Sequence, residues 1–141
     1  MTTIAETLQA LKEEFASLPD GFARYAYLTE LSALLAPPPE VRRAEYSYRG
    51  CQSQVWLCAR ADAGVCRLAA DSDTLIIRGV LALFRELLEG QPVEEVLRSD
   101  FNLLQELELS EHFSSTRTAG VAGLLPEIRR QLSQTDSQSP F

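Results

Sequence analysis

Histidine is almost missing from this sequence: His112 is the one copy in 141 residues. A cysteine–histidine hydrolase needs a base to take the thiol proton and an acid to orient that base, and no such set can be assigned here. Cysteine is scarce as well. Cys51, Cys58 and Cys66 form an odd set of three with no CxxC pair, which argues against a disulfide framework and against a four-ligand zinc site. The 13 basic residues, nearly all arginine, are outnumbered by 20 acidic ones, giving a formal charge of −7. That balance suits a neutral or basic protein surface better than nucleic-acid phosphates. No apolar run reaches the ~20 residues of a membrane span, and the amino-terminal MTTIAETLQALKEEF lacks the charged-then-apolar pattern of a signal peptide. The absences together predict a cytoplasmic chain that binds no nucleic acid, no membrane, no metal and no cofactor.

What is present is an ordinary supply of core residues, 45% hydrophobic, enough for one compact domain without a staple. Ile4, Leu8, Leu11 and Phe15 fall at helical spacing behind a capping box in TIAE, Thr3 to Glu6. This helix ends near Pro19. Asp20 can cap a second, whose stripe runs Phe22, Tyr25, Leu28, Leu31, Leu34 and Leu35 until Pro37 to Pro39 forbid continuation. The period then drops to two. AEYSYR, VWLCARA and VCRLAA, with turn chemistry at Asp62 to Gly64, predict a three-stranded antiparallel meander.

Helical spacing returns from Leu75 to Leu88, with Ser72 or Asp73 as cap and Gly90 as stop. Gly79 inside that run costs up to ~1 kcal/mol against alanine, so it is expected to permit close packing. A helix can begin at Pro92, DFNLLQELEL adds a short one, and the last opens at Ser114 or Ser115 and runs to Leu132. Pro126 is expected to kink or restart it, eased by Gly123. The fold class is α+β, a small antiparallel sheet packed against helices, as one domain over residues 1–132. Polar residues 133–141 are expected to form a disordered tail.

The stretch RGCQSQVW, Arg49 to Trp56, places a thiol in a loop between two strands. Thiol chemistry needs thiolate, which positive charge, backbone amides and partial exposure favour. Arg49 is the nearest cation in sequence, Gly50 permits a tight backbone, and Gln52, Ser53 and Gln54 are uncharged hydrogen-bonding residues that neither repel sulfur nor ligate metal. With hydrolysis set aside, thiol exchange or sulfur carriage remains. Cys58 and Cys66 lie in the flanking strands and read as packing thiols, Trp56 as a core residue able to brace the loop, and His112 as a helix-start or surface residue.

GCQSQVWL (Gly50 to Leu57), DSDTLIIRGVLALF (Asp71 to Phe84) and LELSEHFSSTRTAGVAGLLPEIR (Leu107 to Arg129) together resemble, in order and spacing, the SufE family of sulfur-acceptor proteins. The resemblance covers nearly the whole chain. It implies a fold like that of the iron–sulfur scaffold IscU, with Cys51 as sulfur acceptor on a loop between strands. It further implies a pyridoxal-phosphate-dependent cysteine desulfurase of the SufS kind as donor, whose turnover the chain stimulates, and a SufBCD-type scaffold as recipient for iron–sulfur cluster assembly. Asp73 and Arg117 fall where the family has its acidic residue and its arginine. Arg117 is expected to stabilise the thiolate or persulfide anion, and Asp73 to hold the resting loop or orient the arginine. The pair also reads as a plain surface ion pair, worth under ~1 kcal/mol. Two other roles stay open, a CsdE-like donor to other acceptors and a non-catalytic desulfurase activator, as does pairing into a homodimer.

Overall fold

The computed structural model describes residues 2–134; the tail expected over 133–141 lies outside the described residues from position 135 onward. Helix α1 spans Ile4–Ala16 and opens on the expected capping box, with Thr3 and Glu6 exchanging backbone and side-chain hydrogen bonds of 2.9 and 3.1 Å. It buries Ile4, Leu11 and Phe15. Helix α2 spans Gly21–Leu31, capped by the Asp20 carboxylate on the Ala23 amide. The predicted stripe fails at both ends of this helix. Phe22 is 82% exposed, and after Leu31 the chain tightens into a 3₁₀ turn at Ser32–Leu34. A tighter turn advances each side chain by a larger angle, which puts Leu35 in the core and leaves Leu34 outside, 64% exposed. Ala36, at φ 45°, then ends the run ahead of the prolines.

The sheet is the expected three-stranded antiparallel meander in the order β1 (Ser47–Tyr48), β2 (Val55–Asp62) and β3 (Val65–Ser72). The β2–β3 hairpin turns through Ala63 and Gly64, at φ 52° and 81°, the left-handed pair that a two-residue turn requires. The first strand is shorter than AEYSYR promised, because Ala44–Tyr46 is a 3₁₀ turn. Strand β1 reaches only Trp56 and Val55. Beyond them the edge of β2 is taken by a side chain: the Gln131 amide accepts from Ala59 N at 2.7 Å and donates to Leu57 O at 3.2 Å.

Helix α3, Leu75–Leu88, crosses α2 and β3 with one broad face in the core. Its cap is neither Ser72 nor Asp73. Those side chains are drawn toward the neighbouring loop, and Thr74 stands at the cap position without a side-chain cap bond. Leu75 turns outward, 59% exposed. Gly79 sits where a β-carbon would lie 2.0 Å from the Leu28 carbonyl oxygen, so α2 and α3 approach backbone to backbone. Gly90, at φ 79°, ends the run. Short helices α4 (Val93–Arg98) and α5 (Leu103–Glu106) follow, then α6 (Ser115–Ala122) and α7 (Leu124–Ser133). The last helix therefore restarts at Gly123 rather than kinks, and Pro126 falls in the first turn of α7, where a missing amide costs little. Among the described residues no helix is long and apolar enough to cross a membrane.

Candidate functional site

The loop from Arg49 to Gln54 is held at its two ends by different parts of the fold. At the Gln54 end the sheet and α3 supply the ties. The Ser72 hydroxyl donates to the Gln54 carbonyl at 2.7 Å, the Gln54 amide donates to the Asp73 carboxylate at 3.2 Å, and the Thr74 hydroxyl donates to Ser53 Oγ at 2.8 Å. Ser72 ends β3 opposite Val55, the first residue of β2, so the short side chains of Ser72 and Asp73 reach the Gln54 backbone across the strand pair. Gln52 and Arg49 are exposed.

At the cysteine end the loop lies on the break between α6 and α7. Gly120 and Gly123 leave room for it. A β-carbon on Gly120 would stand 2.6 Å from Cys51 Sγ and 2.7 Å from the Gly50 carbonyl oxygen, and one on Gly123 would stand 2.2 Å from the Tyr48 hydroxyl. Gly50 is used in the same way. Its backbone is not left-handed, but a β-carbon there would meet the Tyr48 hydroxyl at 2.2 Å. Glycine at this position provides space for a folded-back tyrosine rather than a special turn.

Cys51 is therefore half buried and packed against the edge of the core. Burial pushes its thiol pKa upward, and the positive charge of Arg117 on α6 pulls it down. The structure thus brings Arg117 to Cys51 and Asp73 to Gln54. It does not join Asp73 to Arg117: among the described residues neither forms an ion pair. Cys58 and Cys66 are buried in β2 and β3, and burial pushes Cys66 up to about 12. Among the described residues no group of three or more histidine, cysteine or acidic side chains could hold a metal ion.

Sequence reading missed three parts of this arrangement. Tyr48 donates its hydroxyl to the Gly120 carbonyl at 2.7 Å, and its pKa rises to about 12 because it is buried and faces Cys51 and Glu127. In the sequence Gly123 reads only as easing the kink or restart at Pro126, and Gly120 is not singled out. The third part is a charged brace under Trp56. Buried Asp71 receives Arg42 and Arg78, each at 2.7 Å, while the Arg42 guanidinium lies 4.6 Å from the centre of the Trp56 ring. Asp71 and Trp56 are cross-strand partners, so this cluster stiffens the strand end from which the loop departs.

A family model described as the Fe–S metabolism associated domain SufE matches residues 9–132. An uncharacterized SufE-like protein of Rhizobium meliloti (strain 1021) is 32% identical over 140 residues, 95% of this chain and 98% of that protein. Another from Rhizobium etli is 30% identical over 131 residues, 89% of this chain and 88% of that one. In three dimensions the chain is similar to a hypothetical protein from Thermus thermophilus solved in solution, with a TM-score of 0.77, 27% identity, and coverage of 92% of this chain and 95% of that one.

Proposed function

From the premise that this chain belongs to the SufE family, associated with Fe–S metabolism, we propose that it is a sulfur carrier whose acceptor is Cys51. The donor is the persulfide of a pyridoxal-phosphate-dependent cysteine desulfurase, the chain stimulates that enzyme's turnover, and the recipient is a SufBCD-type scaffold. The observation that carries this reading is the placement of Cys51. It is the one half-buried thiol of the three, on a loop tied down by non-covalent contacts, with a cation beside it.

Transfer is a thiol exchange. The Cys51 thiolate attacks the terminal sulfur of the donor persulfide, a new sulfur–sulfur bond forms, and the donor's own sulfur–sulfur bond breaks with its cysteine leaving as thiolate. The sulfane sulfur moves without any outside oxidant or reductant. Attack must be in line, so Cys51 has to leave its place against Gly120 when the partner docks. Arg117 favours the anion on either side of the exchange, first thiolate and then persulfide. Asp73 holds the Gln54 end as the anchored side of the movement, and seating the loop afterwards shields the persulfide from oxidation.

The test is to incubate the chain with cysteine and a cysteine desulfurase and to map by mass spectrometry which thiol gains one sulfur. Cys51 should gain it, and Cys51→Ser should lose both the label and sulfur delivery while keeping its fold. Label on Cys58 or Cys66 with Cys51 bare sinks the assignment. A Cys51→Ser variant that still raises desulfurase turnover, with wild-type Cys51 never labelled, points instead to an activator.

A further inference from the structure

We infer that Tyr48 is the positioning residue of this site: its hydroxyl, bonded to the Gly120 carbonyl, latches the Cys51 loop in its seat, and breaking that bond frees the thiol. The inference rests on the reading of Cys51 as acceptor.

The two ends of the loop are secured unequally. The Gln54 end has three side-chain hydrogen bonds to Ser72, Asp73 and Thr74. At the other end β1 is only two residues long, and among the described residues Cys51 and Gln52 make no hydrogen bond. Beyond the two pairs of β1 with β2 and the packing of Cys51 on the core, the side-chain hydrogen bond on this side is the Tyr48 hydroxyl on Gly120, at 2.7 Å. Gly120 lies in the last turn of α6, where its carbonyl accepts from the Gly123 amide at 3.2 Å. A carbonyl oxygen has two lone pairs, so it takes the tyrosine hydroxyl as well.

The shape of the seat depends on the same ring. Gly50 and Gly123 are each bare where a β-carbon would come within 2.2 Å of the Tyr48 hydroxyl, and Gly120 is bare where one would meet Cys51. Three glycines thus enclose one phenol and one thiol. The charged groups that act on this pair are Arg117 from α6, on the thiol, and Glu127 from α7, on the phenol, while Asp73 is bonded at the far end of the loop. Since Tyr48 keeps its proton until about pH 12, its hydroxyl remains a donor throughout the neutral range and the latch is opened by a competing contact rather than by titration. A docking protein that takes up the loop offers such a contact.

Tyr48→Phe keeps the ring and removes the one bond. Gly123→Ala keeps the hydroxyl and displaces it, since the nearest atom to the new methyl is the far end of the tyrosine. The measurement is iodoacetamide labelling of the full chain from about pH 6 to pH 10, resolved by peptide, so that each cysteine is its own readout. In both variants Cys51 should label about two- to tenfold faster at neutral pH, the range that one neutral hydrogen bond carries. The midpoint of its rate–pH profile should fall toward that of a free thiol, with Cys58 and Cys66 still slow. Unchanged Cys51 labelling in Tyr48→Phe overturns the latch, and so does a parallel rise at Cys66, which would mean general loosening. This readout involves no desulfurase, so it separates a failed latch from a failed acceptor assignment.

Discussion

Two opposed influences act on Cys51: removal from water disfavours its anion, and the Arg117 guanidinium favours it. Because burial is the larger, the seated thiol is mostly protonated at neutral pH, and Arg117 keeps it within reach of ionisation. Arg117→Ala should therefore move the Cys51 alkylation profile to more alkaline pH and slow labelling at pH 7.5 by roughly two- to fivefold, the scale of a partly exposed charge interaction. Arg117→Lys should restore much of the rate. An unchanged profile in the alanine variant would remove Arg117 from the site. At this scale the residues themselves marked the thiol, with Arg49 as its nearest cation in sequence, and only the family resemblance pointed to Arg117. The sequence did not show Tyr48 against Gly120, because a contact across 72 positions leaves no local trace.

Among the elements, α3 is the one whose interior glycine settles a packing distance. Replacing Gly79 by alanine gains about 1 kcal/mol of helix propensity but drives a methyl into the Leu28 carbonyl, which is backbone and cannot swing aside. Overpacking of this kind costs about 1–3 kcal/mol, occasionally more. The clash should win, and the urea midpoint of Gly79→Ala should lie below that of the parent. A midpoint at or above the parent's would show that α2 and α3 can slide apart cheaply. The glycine was legible as an anomaly in a strong helical pattern. Its partner was not, and neither was the 3₁₀ turn at Ser32–Leu34 that turns Leu34 outward.

For the molecule as a whole, the buried thiol of Cys66 makes stability fall in alkali. Its folded pKa, pushed from 9.0 to about 12 first by burial and then by Glu89, exceeds its unfolded value. The folded form is thus at full strength below about pH 9 and loses stability as the pH climbs from there toward 12. Tyr27 and Tyr48, both raised to about 12, add in the same direction above pH 10. Denaturation at pH 8 and pH 10.5 should show roughly 2 kcal/mol lost, at 1.36 kcal/mol per pH unit for Cys66. Cys66→Ala, whatever it costs in packing, should lose less between the two pH values. An equal loss would assign the alkaline weakness elsewhere.

The amino-acid sequence by itself determined the helices, the hairpin and most of their caps, because hydrophobic period, capping boxes and left-handed turn residues act over a few neighbouring positions. It also marked Cys51 as a thiol in a loop between strands. The tertiary structure alone decided where the first strand stops, since Gln131 of the last helix takes up the edge of β2. It also decided that Ser72 and Asp73 tie a loop instead of capping a helix, and that the thiol rests half covered on a glycine-lined break. Each of these depends on groups brought together from far along the chain, competing for hydrogen bonds and space that local pattern does not register.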